Sequence, residues 1–160
     1  MAEIRAFRGL RPGDNLAEKI AALPYDVVSF DEVVEIAGDN PYSFFHISRA
    51  EIDLPEGTDP YSKAVYEKGR DTLLSFTEKG YFIMDEVPCL YLYSQVMNGR
   101  MQTGIVACSS IDDYMNDVIK KHELTREDKE LDRTTHLDIV NANTGPVFLI
   151  HRESEKKKAL

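Results

Sequence analysis

The clearest alternation of apolar and polar positions lies between residues 89 and 108. Two strand-like runs, Cys89–Met97 and Arg100–Cys108, flank Asn98-Gly99. Asn-Gly favours a type I′ turn, whose twist suits a two-residue hairpin. That turn sets Val96 opposite Met101, Tyr93 opposite Gly104 and Cys89 opposite Cys108. Leu90, Leu92 and Val96 then share a face with Met101, Ile105 and Ala107, which is the expected core side. Tyr91, Tyr93, Gln95, Arg100 and Gln102 fall on the other face.

Elsewhere the pattern is helical or short. Ile4–Arg8 reads as an extended segment before a turn at Pro12-Gly13-Asp14, and 15–22 reads as one or two helical turns stopped by Pro24. Ser29 and Glu32 form a capping box ahead of Val33, Val34, Ile36 and Ala37, with Gly38 as the left-handed residue beyond the helix. Ser43–Ser48 is aromatic and β-branched, and predicts a strand holding His46 as a hydrogen-bonded core histidine. Asp59-Pro60 opens a helix with Ala64, Val65, Leu73 and Phe76 on its buried side and Gly80 at its end. Tyr81–Met84 predicts a strand. Helices and hairpin together predict an α+β domain over 1–152. Its mixed or antiparallel sheet is built on the 89–108 hairpin, with helices packed on one side and 153–160 as a frayed polar tail.

Composition narrows the function. The chain has 160 residues and a net charge of −9, which argues against broad nucleic-acid binding. No apolar run approaches a membrane span, and the N-terminus lacks the apolar core of a signal peptide. Two cysteines make no disulfide framework, so both are expected reduced, in a cytoplasmic protein. Residues 1–117 carry a net −10 and residues 118–160 a net +1, so the basic residues concentrate late.

That late segment, Lys120–Asp138, carries the candidate chemistry. Thr125 is a candidate N-cap of a helix running from Arg126 to about Ala142. Arg126, Lys129, Arg133 and His136 recur at three- and four-residue steps and so share a face, with His122 ahead of them. A helix N-terminus adds free amides and a positive dipole end. His122, Thr125, Arg126, Lys129 and Arg133 are therefore candidate anion ligands, while Glu123 and Asp132 are candidate catalytic carboxylates beside the anion. Two readings stay open, because acidic residues interleave with the bases as on any solvated helix. Taken alone, His136 reads as a surface residue, and Arg5, Arg8 and Arg11 read as solvated. Pro24-Tyr25-Asp26 is a polar turn able to place Asp26 in a cleft. The P-loop, Rossmann, zinc-ribbon, HExxH and hydrolase-elbow signatures are absent, and no metal ligand set is assigned.

Five blocks follow in an order that resembles a known family: FRGLRP (7–12), LPYDVVS (23–29), NPYSFFHISRAEIDLP (40–55), QTGIVAC (102–108) and KHELTREDKELDRTTH (121–136). Together they resemble the N-terminal part of the bacterial and archaeal family called domain of unknown function 1015. Its members are usually more than twice this length and carry a later Asp-Gly-His-His-Arg motif similar to one in free-serine kinases of the ParB/sulfiredoxin superfamily. The resemblance implies a nucleotide-dependent phosphotransferase on a small, serine-like molecule, using ATP or ADP with Mg in the full-length architecture. It also carries Asp26 as a carboxylate from across the cleft. This sequence has no DGHHR. The expectation is therefore an N-terminal domain or fragment that binds a phosphate-bearing small molecule and is inactive alone. The alternative is a non-catalytic binding or regulatory module that self-associates as a homo-oligomer, favoured by apolar surface around Pro146–Ile150.

Overall fold

The fold comes from a computed structural model that describes residues 2–121 and 125–151. Residues 4–5 form β1, 10–12 β2, 17–20 α1, 30–37 α2, 45–48 α3, 63–78 α4, 82–84 β3, 91–97 β4, 100–106 β5, 108–109 β6, 111–115 α5 and 127–140 α6, with a 3₁₀ turn at 50–53. The class is α+β. The strands pair antiparallel throughout, but as three two-stranded ladders, β1 with β6, β2 with β3 and β4 with β5, rather than as one sheet on the hairpin. Among the described residues no helix is long and apolar enough to cross a membrane.

The core belongs to the helices. Val65, Tyr66, Gly69, Leu73 and Phe76 form the buried stripe of α4, at spacings that return to one side of a helix. Ile20, Ile47, Leu73, Phe76, Phe82 and Val140 pack as one cluster, and Val33, Ala37 and Phe45 as a second. Gly69 is where α3 crosses α4: a Cβ there would lie 2.6 Å from the Ile47 carbonyl oxygen, so only glycine admits this approach. α4 ends in a Schellman motif. Gly80, at φ 71°, donates to Thr77 O, and Tyr81 donates to Phe76 O, with the Tyr81 and Phe76 rings 5.4 Å apart over the turn.

The predicted capping box forms. Glu32 N–H donates to Ser29 Oγ at 3.4 Å and Ser29 N–H to Glu32 Oε2 at 2.7 Å. Those bonds from Ser29 hold the Glu32 carboxyl below its usual range. Only Val33 and Ala37 of the expected apolar face are buried, and Gly38 stays right-handed at φ −53°.

Residues 43–48 depart from the expected strand. Asn40 Oδ1 accepts Tyr42 N–H, Ser43 Oγ accepts Phe45 N–H, and the chain coils into α3. Phe45 and Ile47 are buried on different sides, against α2 and α4 respectively, so an alternating pattern is served by a four-residue helix. The helix expected from Asp59 begins at Lys63, because Asp59 Oδ1 instead accepts Tyr61 N–H in a preceding turn.

The β4–β5 register is as read: Val96 faces Met101, Tyr93 faces Gly104, and Asn98 and Gly99 both have positive φ. Its expected core face is exposed, however, because nothing among the described residues packs on it. The ladder ends at Tyr91 and Val106, so Cys89 bridges Phe7 and Cys108 pairs with Arg5; both thiols are free. The hairpin is anchored at its base. Tyr91 Oη accepts Gly9 N–H at 2.6 Å and donates to the Asp85 carboxylate, which Arg11 grips through Nε and Nη2. Those two partners hold the Asp85 carboxyl at about 2. Arg8 Nε donates to Asp85 O at 2.6 Å, so Arg8 and Arg11 both reach Asp85 while staying exposed to solvent, as expected. A Cβ on Gly9 would lie 2.6 Å from the Tyr91 hydroxyl. The FRGLRP block is thus a structural clasp.

Candidate functional site

α6 turns a buried stripe of Asp132, His136 and Val140 inward, spaced by four residues, against α4. The site begins with Asp132, which is 6% exposed. Tyr66, on α4, donates its hydroxyl to Asp132 Oδ1 at 2.8 Å. Arg133 donates to Asp132 Oδ2 through Nε at 3.0 Å and Nη2 at 2.8 Å. Burial, then the bond to Asp132, pushes the Tyr66 hydroxyl well above the ordinary tyrosine range. It therefore stays a donor at any physiological pH.

The Arg133 guanidinium stacks 3.9 Å from the Tyr25 ring centroid, an Arg–aromatic stack that fixes its plane. Lys129, one turn earlier, donates to Tyr61 Oη at 3.3 Å and lies 5.8 Å from that ring's centroid. No carboxylate pairs with Lys129 among the described residues. On the facing wall, Arg49 Nε holds Glu51 Oε1 at 2.6 Å, and Nη1 donates to Tyr25 O and Val28 O at 2.9 and 3.0 Å. Arg49 thereby ties the PYDVV loop to the 3₁₀ turn.

These residues line one cleft of about 220 Å³, bounded by Tyr25–Asp26, Arg49–Glu51, Tyr61 and the Lys129–His136 side of α6. His136 lies at its floor, 4% exposed, with Nε2 3.5 Å from Ile47 O and its ring edge-on to Tyr66 at 6.2 Å. Burial first, and Arg133 second, push its pKa below the ordinary histidine value. A larger, flatter depression of about 420 Å³ lies beside His46. His46 uses both ring nitrogens there, Nδ1 on Asp53 at 2.9 Å and Nε2 on Asn40 O at 3.1 Å, leaving none free for a ligand.

The sequence-derived candidates divide accordingly. Asp26, Lys129, Asp132 and Arg133 meet in the cleft. Arg126 does not: it is the N-cap of α6, largely exposed, and its guanidinium holds Asp128. Thr125 is exposed and does not cap the helix. The Asp128 carboxylate, three residues on, is taken by Arg126. His122 and Glu123 lie outside the described residues. His136, read as a surface residue, is buried because the next turn of the basic stripe rolls toward α4. Sequence reasoning assigned no role to Arg49, Glu51, Tyr61 or Tyr66. Arg49 and Glu51 stood inside the quoted block 40–55; Tyr66 was not among the residues expected on the buried side of its helix, and its one signal was standing seven residues before Leu73. Among the described residues no three metal-ligating side chains gather.

LPYDVVS, NPYSFFHISRAEIDLP and the α6 segment meet in one basic and aromatic cleft. The family model described as protein of unknown function (DUF1015) matches residues 4–160, and the chain belongs to that family. Neither the curated proteins nor the solved structures give a match.

Proposed function

We propose that the α6 cleft binds a phosphate-bearing small molecule, as the anion-binding part of a kinase-like site for a small, serine-like substrate. The observation that carries this reading is Lys129, a half-buried cation in a cleft with no carboxylate partner among the described residues. Arg133 supplies the second positive group. Its plane is fixed by Tyr25 and Asp132, so little orientation is lost when an anion approaches. Lys129 and Arg133 hold the phosphate, Asp132 positions Arg133 and Tyr66, and Asp26 at the mouth faces the rest of the ligand.

A whole nucleotide does not suit the cleft. Its volume of about 220 Å³ lies below the roughly 300–1,000 Å³ of pockets for ligands of that size. No step through ATP or Mg is therefore assigned to these residues. The isolated chain binds without turning over.

Inorganic phosphate and phosphoserine titrations followed by amide NMR test the reading. Shifts are expected at Tyr25, Asp26, Arg49, Lys129 and Arg133, with millimolar affinity. Lys129→Ala should weaken binding by about 1–3 kcal/mol, the range of a charge-assisted bond. It is a cleaner probe than Arg133→Ala, which also strips the buried Asp132 of its partner. Titration without shifts in these residues removes the proposal.

A further inference from the structure

His136 holds a nitrogen at the floor of the cleft that no other group uses. The residue is 4% exposed, yet it lines the cleft beside Tyr66, Asp132 and Arg133. Its Nε2 lies 3.5 Å from Ile47 O, which can only accept, so the ring proton belongs on Nε2 and Nδ1 presents a lone pair. No donor reaches Nδ1 among the described residues: Tyr66 spends its hydroxyl on Asp132 Oδ1, and Arg133 spends Nε and Nη2 on Asp132 Oδ2. Nor is Nδ1 sealed in. Among the described residues Ser62 Oγ is the one fully buried side-chain polar atom left without a partner. Nδ1 therefore keeps open space beside it, and the space that His136 lines is the cleft.

The neighbours select the donor. Burial, and Arg133 after it, disfavour positive charge on the ring, while the Ile47 carbonyl and Asp132 oppose that trend less strongly. The ring is therefore neutral near pH 7, and Nδ1 is an acceptor. Arg133 also repels an ammonium group brought to Nδ1, whereas a hydroxyl supplies a donor without charge. Spacing fixes the rest. His136 follows Arg133 by three residues, about 4.5 Å along the axis and on the same side of α6. A span of two or three carbons joins an anion on Lys129 and Arg133 to a hydroxyl on Nδ1, and so small a molecule fits about 220 Å³.

We propose that His136 Nδ1 accepts a hydrogen bond from a ligand hydroxyl, so that the cleft selects hydroxylated anions with two or three carbons between the hydroxyl and the phosphate-like group. This assignment rests on Lys129 and Arg133 holding the anion, as proposed above. The hydroxyl donates and Nδ1 accepts; no covalent bond is made or broken. His136 is thereby a ligand-binding residue, and a ligand without the hydroxyl leaves a buried acceptor unpaired once it displaces water from the floor.

NMR titration of the full 160-residue chain at pH 7.5 tests it. The probes are 2-hydroxyethylphosphonate and 3-hydroxypropylphosphonate, each against plain ethyl- or propylphosphonate. The better hydroxylated probe should bind about 10-fold more tightly than its plain counterpart and move the His136 Nδ1 resonance upfield. His136→Gln keeps a donor for Ile47 O and removes Nδ1, so it should bind hydroxylated and plain probes alike. Should that variant fail to fold, the ring of the native chain still decides: nitrogen-15 spectra should show the proton on Nε2 and a bare Nδ1 before any probe is added. A proton on Nδ1, equal binding of hydroxylated and plain probes to the native chain, or a preference that survives in His136→Gln would each overturn the proposal while leaving the phosphate reading standing. No binding of any probe to a chain with a bare Nδ1 would overturn both.

Discussion

The α4 stripe and the β4–β5 hairpin each advertise an apolar face, and they end in opposite environments. Along α4, Val65, Leu73 and Phe76 meet α3, α6 and β3 and are buried. Along the hairpin, Leu92, Val96, Met101 and Ile105 keep their register and meet nothing within the described chain. Periodicity reports that one side of an element is apolar. It does not report what covers that side. The cleft belongs to the helical region, where Tyr66 and Asp132 are fixed by packing on two helices; among the described residues the hairpin is held at its root, by Tyr91, Asp85 and Arg11.

The largest contrast should appear in the two cores. Phe45 is fully buried beside Val33 and Ala37, so Phe45→Ala should cost about 3–5 kcal/mol in urea unfolding. Val96→Ala, measured at a protein concentration low enough to keep the chain monomeric, should change stability by less than about 0.5 kcal/mol. Equal losses would mean the hairpin face is covered within the chain, and the contrast between the two regions would fall.

A smaller effect separates the polar pairs. Tyr66→Phe removes a bond to a buried carboxylate and should cost about 1.5–3 kcal/mol. Tyr93→Phe removes an exposed bond from Gln95 and should be near neutral. A neutral Tyr66→Phe would show that Arg133 alone satisfies Asp132, and the cleft would lose its claim to a fixed geometry.

What could be read beforehand was local chemistry. Ser29 and Glu32 cap α2 because a side chain three residues on can reach back. Asn98-Gly99 sets the register because few other pairs accept two positive φ values. The extent of α6 was legible to within about two residues at either end. What could not be read was the placement of elements against one another. Residues 43–48 alternate like a strand, and become a helix because Phe45 and Ile47 serve two different clusters. The basic stripe looked like one surface, but α6 rolls so that His136 goes under, Lys129 and Arg133 border the cleft, and Arg126 turns to Asp128. Half the cleft was therefore visible as a charge pattern, and its far wall of Arg49 and Glu51 was not.

The subtlest difference between the regions is in pH dependence. His136 has a folded pKa below the ordinary histidine value, because burial and then Arg133 disfavour its charged form. Asp132 and Ile47 O also face it and oppose that trend, and the Tyr66 ring stands edge-on. Below about pH 6.5 the unfolded chain takes up a proton that the folded chain resists. Stability should thus be level above that value and decline as pH falls toward and through the lowered folded pKa. Asp85 titrates at about 2, and the lowered Glu32 and Asp128 carboxyls also lie below the window. The hairpin contains no histidine. Urea midpoints at pH 7.5, 6.5 and 5.5 should therefore decline in the native sequence and in Val96→Thr alike, and flatten in His136→Gln. A decline that persists in His136→Gln would place the titrating group elsewhere and remove the buried histidine from the floor of the cleft as a source of pH sensitivity.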